Sequence, residues 1–508
     1  MSIVLVGSTS GSVTLQEPAV AGTTVINLPA TSGTMAVTGG SPSFATLTVT
    51  GDASISGLTV GKGGGAVSFN TAFGTNALAA ATTGNQNTAV GFNALTTNTT
   101  NDANTAVGSQ ALRYTNNTAN TGVGNQALLT NTSGAYNTAM GKDALYSNTT
   151  ASNNTAVGYQ AGYSNTTGTD LVAVGYLALN ANTTGNYNTA TGRGALAFST
   201  TASGNSAFGY GALFSNTTGA TNTAVGQSAL NSNTTGSTNT AVGYQALIAN
   251  TTGTLNVAVG DGALVSNTTS GNNTAVGSGC LTSNTAAQNT AIGRLALNAN
   301  TSGTQSCAFG VGAGSANTTG SGNIFIGLDA GNATVGHTTG SYNTFIGRCN
   351  GSSVSATNQL VITASNSAIA GKGDSTGFIS PSGGGVYQGN NSSSWSTTSD
   401  RRLKKNIVDN NTGLDKITAI QVRNFEYRLP EEVDAELTPQ DAVAVSGLQL
   451  GVIAQELQTI LPECVKQEST GVLRVDPDNL TWYLINAVKQ QQAIITDLKA
   501  RIETLENK

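Results

Sequence analysis

The segment SDRRLKKNI, which begins at Ser399, contains the residues whose types and spacing best fit covalent chemistry. Ser399 supplies a hydroxyl that becomes a nucleophile when a base accepts its proton. Lys404 can be that base if burial or a cationic neighbour lowers its pKa, and Arg401, Arg402 and Lys405 are such neighbours. The alternative interpretation of so short a motif is a basic, solvated loop.

Other candidate residues are scattered through the preceding sequence. His337 is the single histidine, which argues against a histidine-rich metal site and predicts a solvated loop side chain. Asp143, Asp261 and Asp329 follow the glycine of a repeated motif, but a glycosidase needs two carboxylates on one surface. Four tyrosines occupy the same position of the repeated motif: Tyr159, Tyr176, Tyr210 and Tyr244. They either stack on sugars or form a packing ladder. We expect no metal and no cofactor.

Charge divides the 508 residues into two parts. Charged residues make up 9% of the chain, whereas an ordinary domain has about 25%. Residues 1–400 contain 7 Lys and Arg and 9 Asp and Glu, and residues 401–508 contain 13 and 16. Neither part has a basic cluster with interleaved aromatic residues, so we expect no nucleic-acid partner. The four cysteines lack paired spacing, which argues against a disulfide framework or a zinc site.

Composition predicts four segments. They are a β-rich cap or attachment region at 1–61, a repetitive shaft at 62–350, a β-rich neck and linker at 351–398, and a charged domain at 399–508. The start, MSIVLVGSTSGS, lacks the basic and apolar regions of a signal peptide, and no run of 18 apolar residues occurs. We therefore expect neither export by a signal peptide nor membrane insertion.

A seventeen-residue repeat fills the shaft. The glycine of its motif NTAVG recurs seventeen times from Gly74 to Gly347, and thirteen of the sixteen intervals have this same length. In each repeat, two short apolar pieces, TAV and AL, are followed by a polar NTTG segment that closes the turn. Its Asn and Gly suit backbone positions with a positive φ. Since repeated glycine and β-branched residues oppose a helix, we predict a parallel β-solenoid with two strands per turn. Stacking predicts an asparagine ladder and columns of Ala, Val and Leu, and it makes the N-x-T/S triplets structural.

A coil this thin cannot bury a sizeable core alone, so we expect three solenoids to pack as a homotrimer. The repeat resembles the shorter head repeats of trimeric autotransporter adhesins over residues 70–350. That resemblance implies a trimeric β-roll. A trimeric surface adhesin is one alternative function, disfavoured by the missing export signal and membrane anchor.

The charged domain, 399–508, combines short apolar segments with a final heptad pattern, which predicts a small α+β domain that ends in a coiled-coil helix. Seven residues recur at spacings of four and three and predict a trimer seam: Leu484, Val488, Gln491, Ile495, Leu498, Ile502 and Leu505.

These segments resemble the intramolecular chaperone domain of bacteriophage tail spikes and tail fibres, the endosialidase type. Four short motifs match in order: S-D-x-R-x-K, F-x-Y, G-x-I-A-Q-E and P-E. In this chain they are formed by Ser399, Asp400, Arg402 and Lys404, by Phe425 and Tyr427, by Gly451 to Glu456, which includes Gln455, and by Pro462-Glu463. The resemblance implies that the domain trimerises, templates folding of the shaft and cuts itself off between Ser399 and Asp400 with a Ser399–Lys404 dyad. A hydroxyl that attacks the preceding carbonyl would instead cut before Ser399, so the side of the cut stays open.

From these features we expect an all-β phage tail fibre, a virion appendage made in the host cytoplasm, with no enzymatic activity beyond single-turnover self-cleavage. Its expected partners are two further copies of itself, other tail or baseplate proteins, and a host receptor that is a glycan or an outer-membrane component. A tail spike that degrades polysaccharide is the enzymatic alternative. New reducing ends after incubation with host polysaccharide would distinguish it.

Overall fold

The computed structural model describes residues 53–55, 58–65, 67–332, 336–364, 368–382, 384–388, 395–396, 401–434, 446–467 and 472–508. The chain divides into two compact units, residues 1–397 and 398–508. Most of the cap region predicted at 1–61 lies outside the described residues. Among those that are described, no helix is both long and apolar enough to cross a bilayer.

The first unit consists of very short strands. β1 (Ala53–Ile55) and β2 (Leu58–Gly61) are antiparallel to each other, and β2 is antiparallel to β3. Seventeen three-residue strands then follow: β3 (Thr71–Phe73), β4 (Thr88–Val90), β5 (Thr105–Val107), β6 (Thr121–Val123), β7 (Thr138–Met140), β8 (Thr155–Val157), β9 (Val172–Val174), β10 (Thr189–Thr191), β11 (Ser206–Phe208), β12 (Thr223–Val225), β13 (Thr240–Val242), β14 (Val257–Val259), β15 (Thr274–Val276), β16 (Thr290–Ile292), β17 (Cys307–Phe309), β18 (Ile324–Ile326) and β19 (Thr344–Ile346).

Each strand pairs in parallel with its equivalent in the next turn, as where Ala241 of β13 faces Ala258 of β14. This confirms the parallel β-solenoid. The stack continues past residue 350, because β19 pairs in parallel with β21 and β21 with β23, which gives about eighteen turns. The remaining strands are β20 (Cys349–Asn350), β21 (Leu360–Thr363), β22 (Ile369–Ala370), β23 (Gly377–Ser382), β24 (Gly384–Gln388) and β25 (Trp395–Ser396).

Each strand of the repeat places one side chain inside the coil and two outside. In β13, Ala241 is fully buried, whereas Thr240 and Val242 are partly exposed. This follows from the two-residue period of a strand. The prediction of a buried valine column is therefore wrong, because that column faces outward, where Val107 and Met140 are 37% and 44% exposed.

The second apolar piece of the repeat, Ala-Leu, forms a corner instead of a strand. Ala94 and Leu95 are adjacent and both fully buried, which an extended strand does not allow because neighbours point to opposite faces. Leu95 reaches the interior with a φ of 50°, and its N–H still donates to the carbonyl of Ala111 in the next turn (3.1 Å). The prediction of two strands per turn is thus wrong, since the described turns have one strand and one hydrogen-bonded corner.

Two columns of buried asparagine run through the coil. In the predicted ladder, the N–H of Asn239 donates to Oδ1 of Asn222 (2.9 Å), and Nδ2 of Asn239 donates to the carbonyl of Gly253 (2.8 Å). The second column comes from NTTG, where Nδ2 of Asn250 donates to Oδ1 of Asn233 (2.8 Å). Asn250 begins an N-x-T triplet and is fully buried, which confirms that these triplets are structural. Sequence reasoning missed this second ladder, although the same seventeen-residue recurrence marks it.

The two glycines of the repeat are needed for different reasons. Gly243 of NTAVG has a φ of 136°, and a Cβ there would lie 2.5 Å from the carbonyl oxygen of Gly260 in the next turn. Gly236 of NTTG is outside the left-handed region, but a Cβ there would lie 2.4 Å from the carbonyl oxygen of Gly253. The predicted positive φ for NTTG is wrong, because close stacking is what selects its glycine.

The second unit is a small α+β domain, as predicted. Its described helices are α1 (Leu414–Ala419), α2 (Ala454–Ile460) and α3 (Pro477–Glu506). Two antiparallel pairs accompany them, β26 (Arg423–Phe425) with β27 (Gln449–Gly451) and β28 (Val465–Gln467) with β29 (Leu473–Val475). Their buried core consists of Leu457, Leu461, Cys464 and Val465.

Candidate cleavage segment and assembly surface

The candidate cleavage segment begins outside the described residues, because Ser399 and Asp400 are not among them. Arg401–Leu403 form a single 3-10 turn, and the N–H of Lys404 donates to the carbonyl of Arg401 (3.1 Å). Residues 401–412, which include Arg402, are exposed in the single chain. A lysine that acts as a general base needs desolvation or a cationic neighbour. The predicted dyad stays a prediction.

Gln455 and Glu456 lie in the first turn of α2 with exposed side chains. Glu456 accepts hydrogen bonds from Nε (3.2 Å) and Nη2 (3.0 Å) of Arg423 on β26. This bidentate pair connects α2 to the β26–β27 sheet. Arg423 was not found from the sequence, because no local spacing indicates a partner so distant along the chain. Both side chains are close to half exposed, so the pair contributes about 1 kcal/mol or less.

Glu463, the acidic residue of the P-E motif, holds α3 against the domain core. The hydroxyl of Tyr483 on α3 donates to its carboxylate, and this hydrogen bond lowers the pKa of Glu463. Gly413, just before α1, packs against the backbone of α3, since a Cβ there would lie 2.3 Å from the N atom of Ala487. The N-terminal half of α3 is therefore fixed by this domain.

The predicted trimer seam is an exposed stripe on α3. The helix has 30 residues and is about 45 Å long. The six apolar seam residues are 39–70% exposed in the single chain, and Gln491 is exposed with them. An apolar stripe at heptad spacing is the surface that coiled-coil helices bury against each other. Its apolar members are Leu484, Val488, Ile495, Leu498, Ile502 and Leu505.

His337 is buried, contrary to the prediction of a solvated loop residue. It begins an HTTG segment and takes the place of the NTTG asparagine, with Nε2 3.0 Å from the carbonyl oxygen of Gly340. In the preceding turn, Nδ2 of Asn317 makes the equivalent hydrogen bond to Gly320 (2.9 Å). Burial lowers the pKa of the imidazole. The alignment of HTTG with NTTG was the signal that the sequence analysis missed.

The three aspartates that follow repeat glycines do not come together within one chain. Asp261 and Asp329 are four turns apart in the stack, which is about 19 Å at ~4.8 Å per turn. Asp143 is seven turns from Asp261. A glycosidase pair requires carboxylates about 5–10 Å apart, so these aspartates do not form one inside a single shaft.

The fold defines a class of protein in which a long parallel β-solenoid is followed in the chain by a small α+β domain with an exposed apolar stripe on its last helix. Residues 399–466 match the model of a peptidase family described as the chaperone of endosialidase. The match includes the candidate cleavage segment, α1 and α2. The chain therefore has an endosialidase-type chaperone domain after its shaft, the organisation of a tail fibre or tail spike, and the family implies self-cleavage by that domain.

Proposed function

We propose that this chain is the subunit of a homotrimeric bacteriophage tail fibre that contacts the host cell surface. Its C-terminal domain assembles the trimer, templates the shaft and then cleaves itself off. The main support is the combination of a β-solenoid shaft with a matched chaperone domain. Long stacks of parallel strands fold slowly and pair in wrong registers, which is the difficulty that such a domain removes.

Two apolar surfaces of the single chain support the trimer. One is the α3 seam. The other is the outward column of the strands, where Phe208, Ile292 and Phe309 are 38–42% exposed. Sedimentation of the mature shaft should report three chains, because each coil interior holds little more than alanine, leucine and asparagine. A stable monomer would contradict the trimer.

Self-cleavage follows assembly in this proposal, because Lys404 is exposed in the single chain and a neighbouring copy would bury it. The net reaction is hydrolysis of one peptide bond beside Ser399. Ser399→Ala and Lys404→Ala should each leave an intact full-length chain that still trimerises, while the wild type releases its C-terminal domain as a separate band on a denaturing gel. Lys508→Ala, at an exposed lysine far along the chain from Ser399, is the control and should cleave normally. Normal cleavage by Lys404→Ala would refute the dyad.

Attachment to a virion is a separate part of the proposal. Other tail or baseplate proteins would hold the fibre, and its shaft would reach a receptor on the host surface. Electron microscopy of the parent virion with a gold-labelled antibody against the shaft should show label on the tail. Particles without label would contradict the assignment as a tail fibre.

A further inference from the structure

A groove of about 380 Å³ lies on the outer surface of the shaft, within the size range of small-ligand sites. Its floor consists of Gly194 and Gly211, which follow the repeat glycine by two residues in consecutive turns. Other turns have a longer side chain there in the same left-handed conformation, such as Gln160 (φ 51°) and Gln245 (φ 55°). Two successive glycines therefore remove two side chains and open the groove.

One wall of the groove places a cation between aromatic rings. The guanidinium of Arg193 lies over the rings of Tyr176 (5.4 Å to the centroid) and Tyr210 (5.8 Å). A guanidinium is planar, and its N–H groups lie in its plane. Stacking on rings thus leaves these donors for other partners. Among the described residues, no carboxylate forms an ion pair with Arg193.

The opposite wall is formed by Phe214 and Asn231. Phe214 packs edge-on against Phe198, with centroids 4.9 Å apart. Nδ2 of Asn231 donates to the carbonyl of Gly211 (2.9 Å), and this fixes the amide with Oδ1 as a remaining acceptor. Both walls are thus held in place by contacts within the shaft.

We propose that this groove binds a saccharide that bears a carboxylate, and that it is a receptor-binding site of the shaft. The inference rests on the proposed contact with the host surface. The aromatic rings would pack against the apolar faces of a sugar ring. Arg193 would pair with the carboxylate through two N–H groups, and Oδ1 of Asn231 would accept a hydrogen bond from a sugar hydroxyl.

The test uses calorimetric titration of the assembled protein with oligogalacturonides and hyaluronan oligosaccharides as acidic probes and maltooligosaccharides as neutral ones. The wild type should bind at least one acidic probe and prefer it to the neutral ones. Arg193→Gln should weaken that binding about tenfold or more, the usual effect of losing a charged hydrogen bond. Gly211→Gln should abolish binding, because it restores the side chain that fills this position in other turns.

Two variants at equivalent positions outside the groove serve as controls. Arg294→Gln changes an exposed arginine at the position of Arg193 six turns away. Gly262→Gln fills another glycine at the position of Gly211, where a Cβ meets its nearest atom, in Val265, at 3.5 Å. Both should bind like the wild type.

Three results would overturn the proposal: no binding of either acidic probe, equal binding of neutral probes, or unchanged binding by Gly211→Gln. These results leave the virion-labelling test unaffected. Failure of the groove can therefore be distinguished from failure of the proposed tail-fibre function.

Discussion

The shaft and the C-terminal domain are stabilised by opposite patterns of contact. In the shaft, hydrogen bonds join equivalent residues one turn apart, as from Asn250 to Asn233 (2.8 Å). In the domain they join unique residues far apart in the chain, as from the N–H of Leu414 to Oε1 of Gln490 (2.6 Å) and from Nζ of Lys416 to the carbonyl of Ile460 (2.9 Å). Each shaft turn therefore pairs equally well with many others, whereas each domain contact has one partner.

This difference shows why a repetitive shaft benefits from a non-repetitive domain. A slip of one whole turn between chains preserves the outward valine column and the asparagine ladders, so the shaft specifies its register weakly. The described part of the domain has no seventeen-residue repeat, so in the proposed trimer its unique contacts would favour one alignment. In the proposed trimer, the domain would therefore set the register that the shaft leaves open.

The largest expected effect comes from removing the domain. A chain truncated after residue 398 should give aggregated or unassembled shaft, because nothing then aligns the chains before the parallel strands pair. Solubility and sedimentation after expression measure this. Co-expression with the separate 399–508 fragment is the control. A soluble trimer of 1–398 made alone would show that the shaft sets its own register.

A smaller loss should follow from one methyl group in the shaft. Gly243→Ala combines a φ of 136° with a Cβ placed 2.5 Å from the carbonyl oxygen of Gly260. Backbone strain and overpacking together should cost about 2–5 kcal/mol in each chain. In Gly262→Ala the Cβ would make an ordinary contact with Val265 at 3.5 Å, so only the strain of a φ of 63° remains, and the substitution should cost about 1–2 kcal/mol. Denaturant unfolding compares them, and equal midpoints would refute the role given to stacking.

His337 should make this part of the shaft sensitive to pH. Its pKa is lowered by burial in the folded state, so below the ordinary histidine pKa of ~6.5 the unfolded chain binds more protons. Stability should therefore be complete above about pH 6.5 and decrease as the pH falls toward the folded-state pKa. His337→Asn restores the ladder residue and should remove this component. If the stability of both proteins changes equally between pH 8 and pH 5, this role of His337 is contradicted.

The smallest expected effect concerns the ion pair of the domain. Arg423→Ala removes the bidentate partner of Glu456, and the half-exposed pair should contribute about 1 kcal/mol or less. Thermal unfolding of the chain before cleavage measures the change, with Arg428→Ala as a control at an exposed arginine. Loss of the trimer in Arg423→Ala would assign this pair to assembly and not to the single domain.

The repeat made the solenoid predictable, because a glycine recurs at the position of Gly243 in every repeat and an asparagine at that of Asn239 in nearly every one. Only a stack places such equivalent residues above each other. Hydrophobicity alone misplaced Val242, since it does not tell which face of a three-residue strand is inside. The left-handed φ of Leu95 had no local sign, because leucine usually avoids that region. This conformation follows from the need to bury the adjacent residues Ala94 and Leu95, and only the closed coil of the structure shows that both are inside.

The chaperone domain was predictable from ordered short motifs, and the family match at 399–466 confirms it. Burial does not test the catalytic roles proposed for Ser399 and Lys404, because Ser399 lies outside the described residues and Lys404 is exposed in one chain. The groove also escaped prediction. The sequence shows the column of tyrosines, but the groove beside them exists because Gly194 and Gly211 have no side chains.

Antiparallel strands lie at both ends of the parallel stack, β1 and β2 before it and β24 and β25 after it. A stack of near-identical parallel strands has open edges that could recruit further copies, as in cross-β fibrils. A strand of opposite direction does not present the hydrogen-bonding pattern that another turn requires. In the proposed fibre, these strands would oppose end-to-end polymerisation, and the number of encoded repeats would set the length of the shaft like a molecular ruler.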